Sequence, residues 1–264
     1  MITYTDIGVE ISNYVATIEI QRPPNNFFDV VLINSIADAL EDFDKNDKVR
    51  AVVLAAQGKV FCAGANFGDG STLDKSGQRP SEATSPISHL YMQAVRLFRS
   101  QKPIVGAIHG AAVGGGLGLA MVPDFRVTCP EARFCANFTR LGFHPGFGLS
   151  VTLPEAIGKT NTALMLYTSR RFTGDEAVKM GLASVLVAQD QVRATAQKLA
   201  AEIAENAPLA VMATRATQRA GLADRVKAAT EHELSLQTRL RQSDDFKEGV
   251  KAMSERRTPN FTGR

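Results

Sequence analysis

The sequence predicts an α/β fold built in layers, followed by a helical C-terminal region. Two segments in succession have the pattern of a buried strand, a glycine turn and a helix, at residues 51–67 and 103–120. From about Asp190 onward, Ala, Arg and Glu recur with helical periodicity and few β-forming runs remain. Alternating strands and helices are typical of α/β proteins and argue against a bundle or a sandwich.

The first elements are predicted from hydrophobic periodicity. Val9–Ile20 alternates apolar and polar residues, as half-buried antiparallel strands do. After a break at residues 22–26, Val30–Phe43 has helical spacing, and Arg50–Ala55 is a second buried strand. Residues 68–86 are rich in Gly, Ser, Asp and Pro, which predicts a mobile loop.

The glycine-rich stretch from Pro103 to Asp124 organises the chain. A strand at Pro103–Ile108 is followed by five glycines within nine residues and then by an apolar helix that stops at Pro123. Backbone N–H groups at such a helix start have no partner within the helix and hold an anion or a developing oxyanion. The spacing fits neither a dinucleotide fingerprint nor a P-loop. Close packing of helix on strand is the alternative reason for the glycines.

The remaining elements follow from the same signals. Ile87–Arg99 is predicted to be a helix, and Phe125–Thr128 a third, weaker strand. Three C-terminal helices are predicted, at Gln191–Ala207, Pro208–Ala220 and Leu222–Gln242. Asp124 is interpreted as structural, pairing with Arg126.

The composition of the chain limits the kinds of ligand and cellular location that we expect. The chain has 264 residues, 44% of them hydrophobic, and a net charge of +3, which suits an anionic small ligand better than nucleic acid. The three cysteines form no CxxC pair and the four histidines show no ligand spacing, so we expect reduced thiols and no metal site. We find no secretory signal pattern and no membrane-length apolar run, and therefore expect a cytoplasmic protein without membrane contact.

Short motifs in a fixed order give the chain a family resemblance. The sequence resembles the crotonase (enoyl-CoA hydratase/isomerase) superfamily along essentially its whole length. The matching segments are Arg22-Pro23, Phe61–Asn66, Pro103–Gly110, Gly114–Gly116, Ala120–Asp124, Ala132–Phe134, Leu141–Gly146, Phe172–Ala177, Gly181–Ala183 and Phe261–Arg264.

The resemblance implies a crotonase-like spiral of ββα units in residues 1–200, which binds acyl-CoA. Residues 201–264 would form a helical subdomain that assembles a homotrimer, or a hexamer of two trimers. The thioester carbonyl would be polarised by the backbone N–H groups of Ala65 and Gly115, each contributing on the order of 3–4 kcal/mol to an enolate-like transition state. The coenzyme A of the substrate would lie along Ala63, Gly64, Ala65, Asn66 and Phe67, and no separate cofactor is implied.

The sequence departs from the family where protons are transferred. The two glutamate positions of a typical hydratase are occupied by Gly118 and Phe138, and the acid position of many isomerases is Gly146. These three residues are expected to line the substrate pocket, with more apolar room than a short enoyl chain needs. Because neither glycine nor phenylalanine transfers protons, ordinary two-glutamate hydration is predicted to be very weak or absent.

His144, next to the vacant acid position, is the candidate acid or base, although a loop histidine facing solvent or another subunit is the plainer interpretation. Asp69, Asp74, His89 and Tyr91 are weaker candidates. Three functions stay open: an enoyl-CoA hydratase/isomerase-like enzyme, an isomerase or thioester hydrolase with a non-standard base, and a non-catalytic acyl-CoA-binding scaffold.

Overall fold

A computed structural model describes residues 4–66 and 90–264 as two sheets enclosed by helices. In chain order the first half comprises β1 (Ile7–Ser12), β2 (Val15–Ile20), α1 (Val30–Asp44), β3 (Ala51–Ala56), β4 (Val60–Cys62), α2 (Leu90–Phe98), β5 (Ile104–Ile108), β6 (Ala111–Val113), α3 (Gly115–Ala120), β7 (Phe125–Thr128) and β8 (Arg133–Cys135). The second half comprises α4 (Leu149–Thr168), β9 (Phe172–Thr173), α5 (Gly174–Lys179), β10 (Val185–Leu186), α6 (Val192–Ala204), α7 (Pro208–Gln218), α8 (Leu222–Leu240) and α9 (Asp244–Ser254).

The strand order is that of a spiral. The larger sheet runs β1-β2-β3-β5-β7-β10 and the smaller one β4-β6-β8-β9. β3, β5 and β7 are each followed by a short strand that joins the smaller sheet, and then by a helix. The chain therefore winds through three ββα turns, and the α/β spiral expected from the resemblance is confirmed.

Predicted and observed elements agree at most positions. The alternating segment is a hairpin of β1 and β2, with Ser12 opposite Val15. The predicted loop at residues 68–86 and the first residues of the helix predicted at Ile87 lie outside the described residues. Three helices, α4, α5 and α9, are absent from the sequence interpretation. α4 contains Pro154, and its backbone leaves helical geometry at Gly158, where φ is 72° and ψ is 164°.

Helix α6 contains part of the alanine periodicity predicted after Asp190. Val192, Ala196, Ala200 and Ala204 recur every fourth residue, are all buried, and lie on the side of the helix that packs on β3, β5 and β7. Small side chains let the helix approach the sheet closely. The stripe is therefore part of the intramolecular core, and the predicted domain boundary at residue 200 falls inside this helix.

Asp124 pairs differently from the expectation. Its carboxylate accepts hydrogen bonds from Arg215 Nε at 2.9 Å and Arg219 Nη1 at 2.8 Å, and it also binds the backbone N–H of Ile104. The predicted pairing with Arg126 is wrong. Arg126 instead donates to the carbonyl oxygens of Leu182 and Pro123, and burial lowers the pKa of its guanidinium to about 10. Asp124 thus ties the sheet to α7.

Candidate active site

The two glycine turns meet where the smaller sheet ends. β4 and β6 are parallel neighbours, with Cys62 opposite Ala112, so the turns that follow them lie side by side. A Cβ atom placed on Gly64 would lie 2.7 Å from the carbonyl oxygen of Val113 and 3.4 Å from the backbone nitrogen of Gly115. Only glycine permits this approach, because φ of Gly64 is +82° and no side chain would fit.

A buried asparagine holds the first turn in place. Asn26 is fully buried and donates from Nδ2 to the carbonyl oxygens of Gln57, at 2.8 Å, and Val60, at 2.6 Å. The adjoining residues then bond directly to the turn: Ala63 N donates to Asn25 O, and Phe28 N donates to Gly64 O, both at 3.0 Å. The turn is therefore fixed from both sides. The sequence gives no signal for this role beyond a polar residue after Arg22-Pro23.

Two backbone donors remain free where the turns adjoin. The N–H groups of Ala65 and Gly115 donate no hydrogen bond to any other residue between 4–66 and 90–264. The neighbouring Gly114 N–H, in contrast, donates to the carbonyl oxygen of Cys135 at 2.8 Å. Gly115 is buried and begins α3. Paired free N–H groups in a buried turn suit a developing oxyanion, because fixed donors need no reorganisation when the charge forms.

The space beside Gly118 is filled by an aromatic ring. A Cβ atom on Gly118 would lie 2.5 Å from Cβ and 2.6 Å from Cγ of Phe147, whose side chain is 1% exposed. Phe147 has φ of +64°, and its ring is packed among those of Phe28, Tyr91 and Phe98 at centroid distances of 5.8, 5.9 and 6.5 Å. Phe147 therefore fills the space that a side chain at position 118 would need, and the place of Gly118 in a substrate pocket remains a prediction.

The close contact between Gly118 and Phe147 predicts the effect of adding one methyl group at position 118. Gly118→Ala should lower the free energy of unfolding by about 1–3 kcal/mol, since the Phe147 Cβ cannot move aside by changing rotamer. In a Phe147→Gly background, which also relieves the positive φ, the same change should cost much less. Urea unfolding of the two single variants and the double variant measures the coupling. An equal cost in both backgrounds would contradict the contact.

The space beside Gly146 is also occupied. A Cβ atom there would collide with the Tyr91 ring and lie 2.6 Å from Gln237 Nε2. Gln237 Nε2 donates to the carbonyl oxygen of His144 at 2.8 Å, and its side chain is hydrogen-bonded to the Tyr91 hydroxyl. Burial raises the pKa of Tyr91, so the phenol keeps its proton and cannot replace a carboxylate base.

Phe138, at the second glutamate position, is buried as well. Its ring packs edge-on against Phe143 at 5.5 Å and comes within 3.9 Å of a Cβ placed on Gly114. It therefore lies beside the residue that precedes the Gly115 donor. Aromatic rings therefore adjoin all three positions at which the family carries an acid, and the Gln237 amide also adjoins Gly146.

His144 faces helix α8. Its Nδ1 lies 2.8 Å from the carbonyl oxygen of Pro145, and its ring centroid is 6.2 Å from that of His232, an exposed residue of α8. No hydrogen bond or ring contact connects the imidazole to Ala65 or Gly115 within the described residues. Its role as acid or base remains a prediction.

The coenzyme A segment is described in part. Ala63, Gly64, Ala65 and Asn66 form the turn after β4, whereas Phe67 lies outside the described residues together with Asp69, Asp74 and His89. No group of His, Cys, Asp or Glu side chains within residues 4–66 and 90–264 has the geometry of a metal site. No helix among those residues has the length and apolar character needed to span a membrane.

Sequence reasoning missed a buried carboxylate. Glu233 of α8 is 0% exposed and accepts hydrogen bonds from Gly148 N at 2.8 Å, Ser150 N at 3.1 Å and Ser150 Oγ at 2.5 Å. It caps the start of α4 directly after Phe147. Glu233 and Gln237 are four residues apart on one face of a charged helix, which from sequence looks like a solvated face.

Known proteins resemble this chain in sequence and in fold. A family model described as "Enoyl-CoA hydratase/isomerase" matches residues 10–264. A probable enoyl-CoA hydratase of Rhodobacter capsulatus is 31% identical over 264 residues, which cover 99% of this chain and 100% of that protein. The 1,2-epoxyphenylacetyl-CoA isomerase of Escherichia coli is 27% identical over 95% of each chain. An enoyl-CoA hydratase/isomerase structure from Pseudoalteromonas atlantica superimposes with a TM-score of 0.85, 29% identity and coverage of 98% and 100%.

Proposed function

The chain belongs to the enoyl-CoA hydratase/isomerase family, and from that premise we propose that it is an enzyme of the lyase or isomerase type acting on an acyl-CoA thioester. Ala65 and Gly115 would bind the thioester oxygen through their backbone N–H groups. Removal of a proton from the α-carbon leaves an enolate, whose negative charge falls on that oxygen. The observation that carries the proposal is the pair of free N–H groups at adjoining glycine turns.

Among the reactions open to an enolate, proton relocation fits this site better than hydration. Hydration needs a water molecule held between two acidic side chains, and at the two positions expected to supply them Gly118 is covered by Phe147 and Phe138 packs against Phe143. An aromatic wall excludes water and does not orient it. A relative acting as 1,2-epoxyphenylacetyl-CoA isomerase supports this direction. We therefore propose an isomerase-like reaction in which a double bond or an α-proton is moved without adding water.

Proton transfer still needs a carrier, and His144 is the side chain we propose for it. The test is deuterium uptake at the α-carbon of enoyl-, 3-enoyl-, β-keto- and aryl-CoA thioesters incubated with the protein in deuterated water, followed by mass spectrometry. Uptake that is lost in His144→Ala and kept in a His232→Ala control would identify the carrier. Uptake kept in both variants would assign the proton to another group.

A second function is favoured by the same aromatic wall. With Gly118, Phe138 and Gly146 at the three acid positions of the family, the protein would hold an acyl-CoA without transforming it, as a binding scaffold. Tight binding of the thioesters with neither exchange nor product would establish the scaffold and exclude the enzyme. Thioester hydrolysis with a non-standard base would appear in the same experiment as release of free coenzyme A.

We further propose that the protein acts in the cytoplasm as a homotrimer or hexamer, without a separate cofactor and without binding nucleic acid. Large apolar side chains on the helical surface support self-association: Tyr167 of α4 and Leu209 of α7 are each 79% exposed. Light scattering coupled to size-exclusion chromatography measures the assembly directly.

A further inference from the structure

A cavity whose wall is rich in arginines adjoins the second glycine turn. Its volume is 680 Å³, and its wall contains Arg140, Arg170, Arg171, Arg256 and Arg257. Within the described part of the chain no aspartate or glutamate lines it. Such an excess of one charge in a concave site raises the local concentration of anions.

Most of these arginines have no ion-pair partner among residues 4–66 and 90–264. Arg257 is paired with Glu248 and Glu255, but the other four arginines form no ion pair with a described residue. Arg170 lies close enough to Glu176 to lower the pKa of that carboxyl group, so Glu176 balances part of its charge. The guanidinium groups of Arg140, Arg171 and Arg256 then remain uncompensated.

Helix ends account for only part of this charge. α4 ends at Thr168 and α9 at Ser254, both next to the cavity, and arginines commonly complement the negative ends of helices. Two such ends together carry roughly one negative charge, against three unpaired guanidiniums. The buried Cys135 thiol adds none, because burial raises its pKa to about 11. Five arginines set against the carboxylates of Glu176, Glu248 and Glu255 and against the two helix ends leave an excess of about one positive charge.

The cavity shares a wall with the oxyanion turn. Val113 and Asn137 both line it, and the Asn137 Oδ1 atom would be 2.9 Å from a Cβ on Gly114, the residue before the Gly115 donor. The Val113 carbonyl oxygen faces Gly64 on the other side of the turn. An anion bound here would belong to the same ligand as the thioester if that ligand extends past Gly114 into the cavity.

We propose that this cavity binds an anionic group carried by the thioester ligand, either a phosphate of the coenzyme A portion or a carboxylate on the acyl chain. Arginine suits both, because its planar fork of N–H donors matches carboxylate and phosphate oxygens. The inference rests on the proposed function, since it takes the ligand to be an acyl-CoA.

The test compares three ligands by isothermal titration calorimetry: octanoyl-CoA, octanoyl-pantetheine, which lacks the phosphates, and suberyl-CoA, which ends in a carboxylate. Each is titrated into the full-length wild type, an Arg140→Gln/Arg171→Gln double variant, and an Arg193→Gln control. Arg193 is an exposed arginine of α6 paired with Glu19, away from the cavity wall. Both positions in the double variant are at the surface, so the fold should be retained, which thermal unfolding checks.

Loss of the charged contacts should weaken binding about tenfold or more. A loss for both CoA esters with octanoyl-pantetheine unchanged assigns the cavity to phosphate, and a loss confined to suberyl-CoA assigns it to a chain carboxylate. If the double variant binds all three ligands as the Arg193→Gln control does, the cavity assignment is overturned while the proposed function stands. If the wild type binds no CoA ester, both are overturned.

Discussion

Replacing Ala65 with proline is expected to slow deuterium exchange at the α-carbon of a bound acyl-CoA by about 10²–10³-fold. Proline has no backbone N–H, so the change removes one of the two proposed oxyanion donors and leaves Gly115 in place. The Ala65 N–H donates to no other described residue, so the substitution removes no hydrogen bond to those residues. Exchange rates at saturating octanoyl-CoA measure the effect.

The matched control is Ala65→Gly, which keeps the N–H and should retain most of the exchange. Because the oxyanion exists only after the proton has left, the proline variant should lose rate far more than it loses affinity for the thioester. Unfolding by urea must first show that the variant is folded. A folded proline variant with unchanged exchange would remove Ala65 from the mechanism.

The second large effect is expected at Glu233, away from the reacting atoms. Glu233→Ala should lower the free energy of unfolding by about 3 kcal/mol, because it leaves the N–H groups of Gly148 and Ser150 without their acceptor. It also removes an N-terminal cap from α4. Urea denaturation compares it with Glu231→Ala, two residues earlier on the same helix, where an exposed pair with Lys227 should contribute less than about 1 kcal/mol.

Activity should fall together with stability in the Glu233→Ala variant. Gly148 follows Phe147, so a frayed start of α4 would release the ring that fills the space beside Gly118. A Glu233→Ala protein that unfolds at the wild-type urea concentration would show that water replaces the carboxylate, and that the buried cap contributes little.

The fold was predictable because each turn of the spiral has a recognisable pattern over a short stretch of sequence. Each spiral turn places a short β-forming run before a small-residue turn, and both features are visible in 51–67 and 103–120. α4 was missed because Pro154 and Gly158 interrupt its periodicity, although the packing of its apolar residues keeps it helical on either side. α9 is short, and its sequence DDFKEGVKAMS has only a narrow apolar face.

The candidate site was only half predictable, for a physical reason. Backbone donors leave no side-chain signature, so Ala65 and Gly115 were indicated by glycine turns together with the family resemblance. The sequence shows that the glutamate of the family is replaced by glycine at position 118. It does not show that Phe147 fills the space beside Gly118, because hydrophobic periodicity does not indicate which distant side chain packs there. Glu233 was missed since a buried carboxylate and a solvated one look alike on a polar helix.

The contacts that α8 makes with residues 144–150 can form only late in protein synthesis. Residues 62–65 and 113–118 leave the ribosome more than a hundred residues before Glu233 and Gln237 do. Until then, Gly148 and Ser150 lack the Glu233 carboxylate that accepts their N–H groups, and His144 lacks the Gln237 amide that donates to its carbonyl oxygen. Because chains emerge and fold from the N-terminus, a nascent chain cut short before α8 would contain both glycine turns and still hold Phe147 loosely. The last quarter of the polypeptide therefore supplies the contacts that complete the candidate site, and it is the last part to be synthesised.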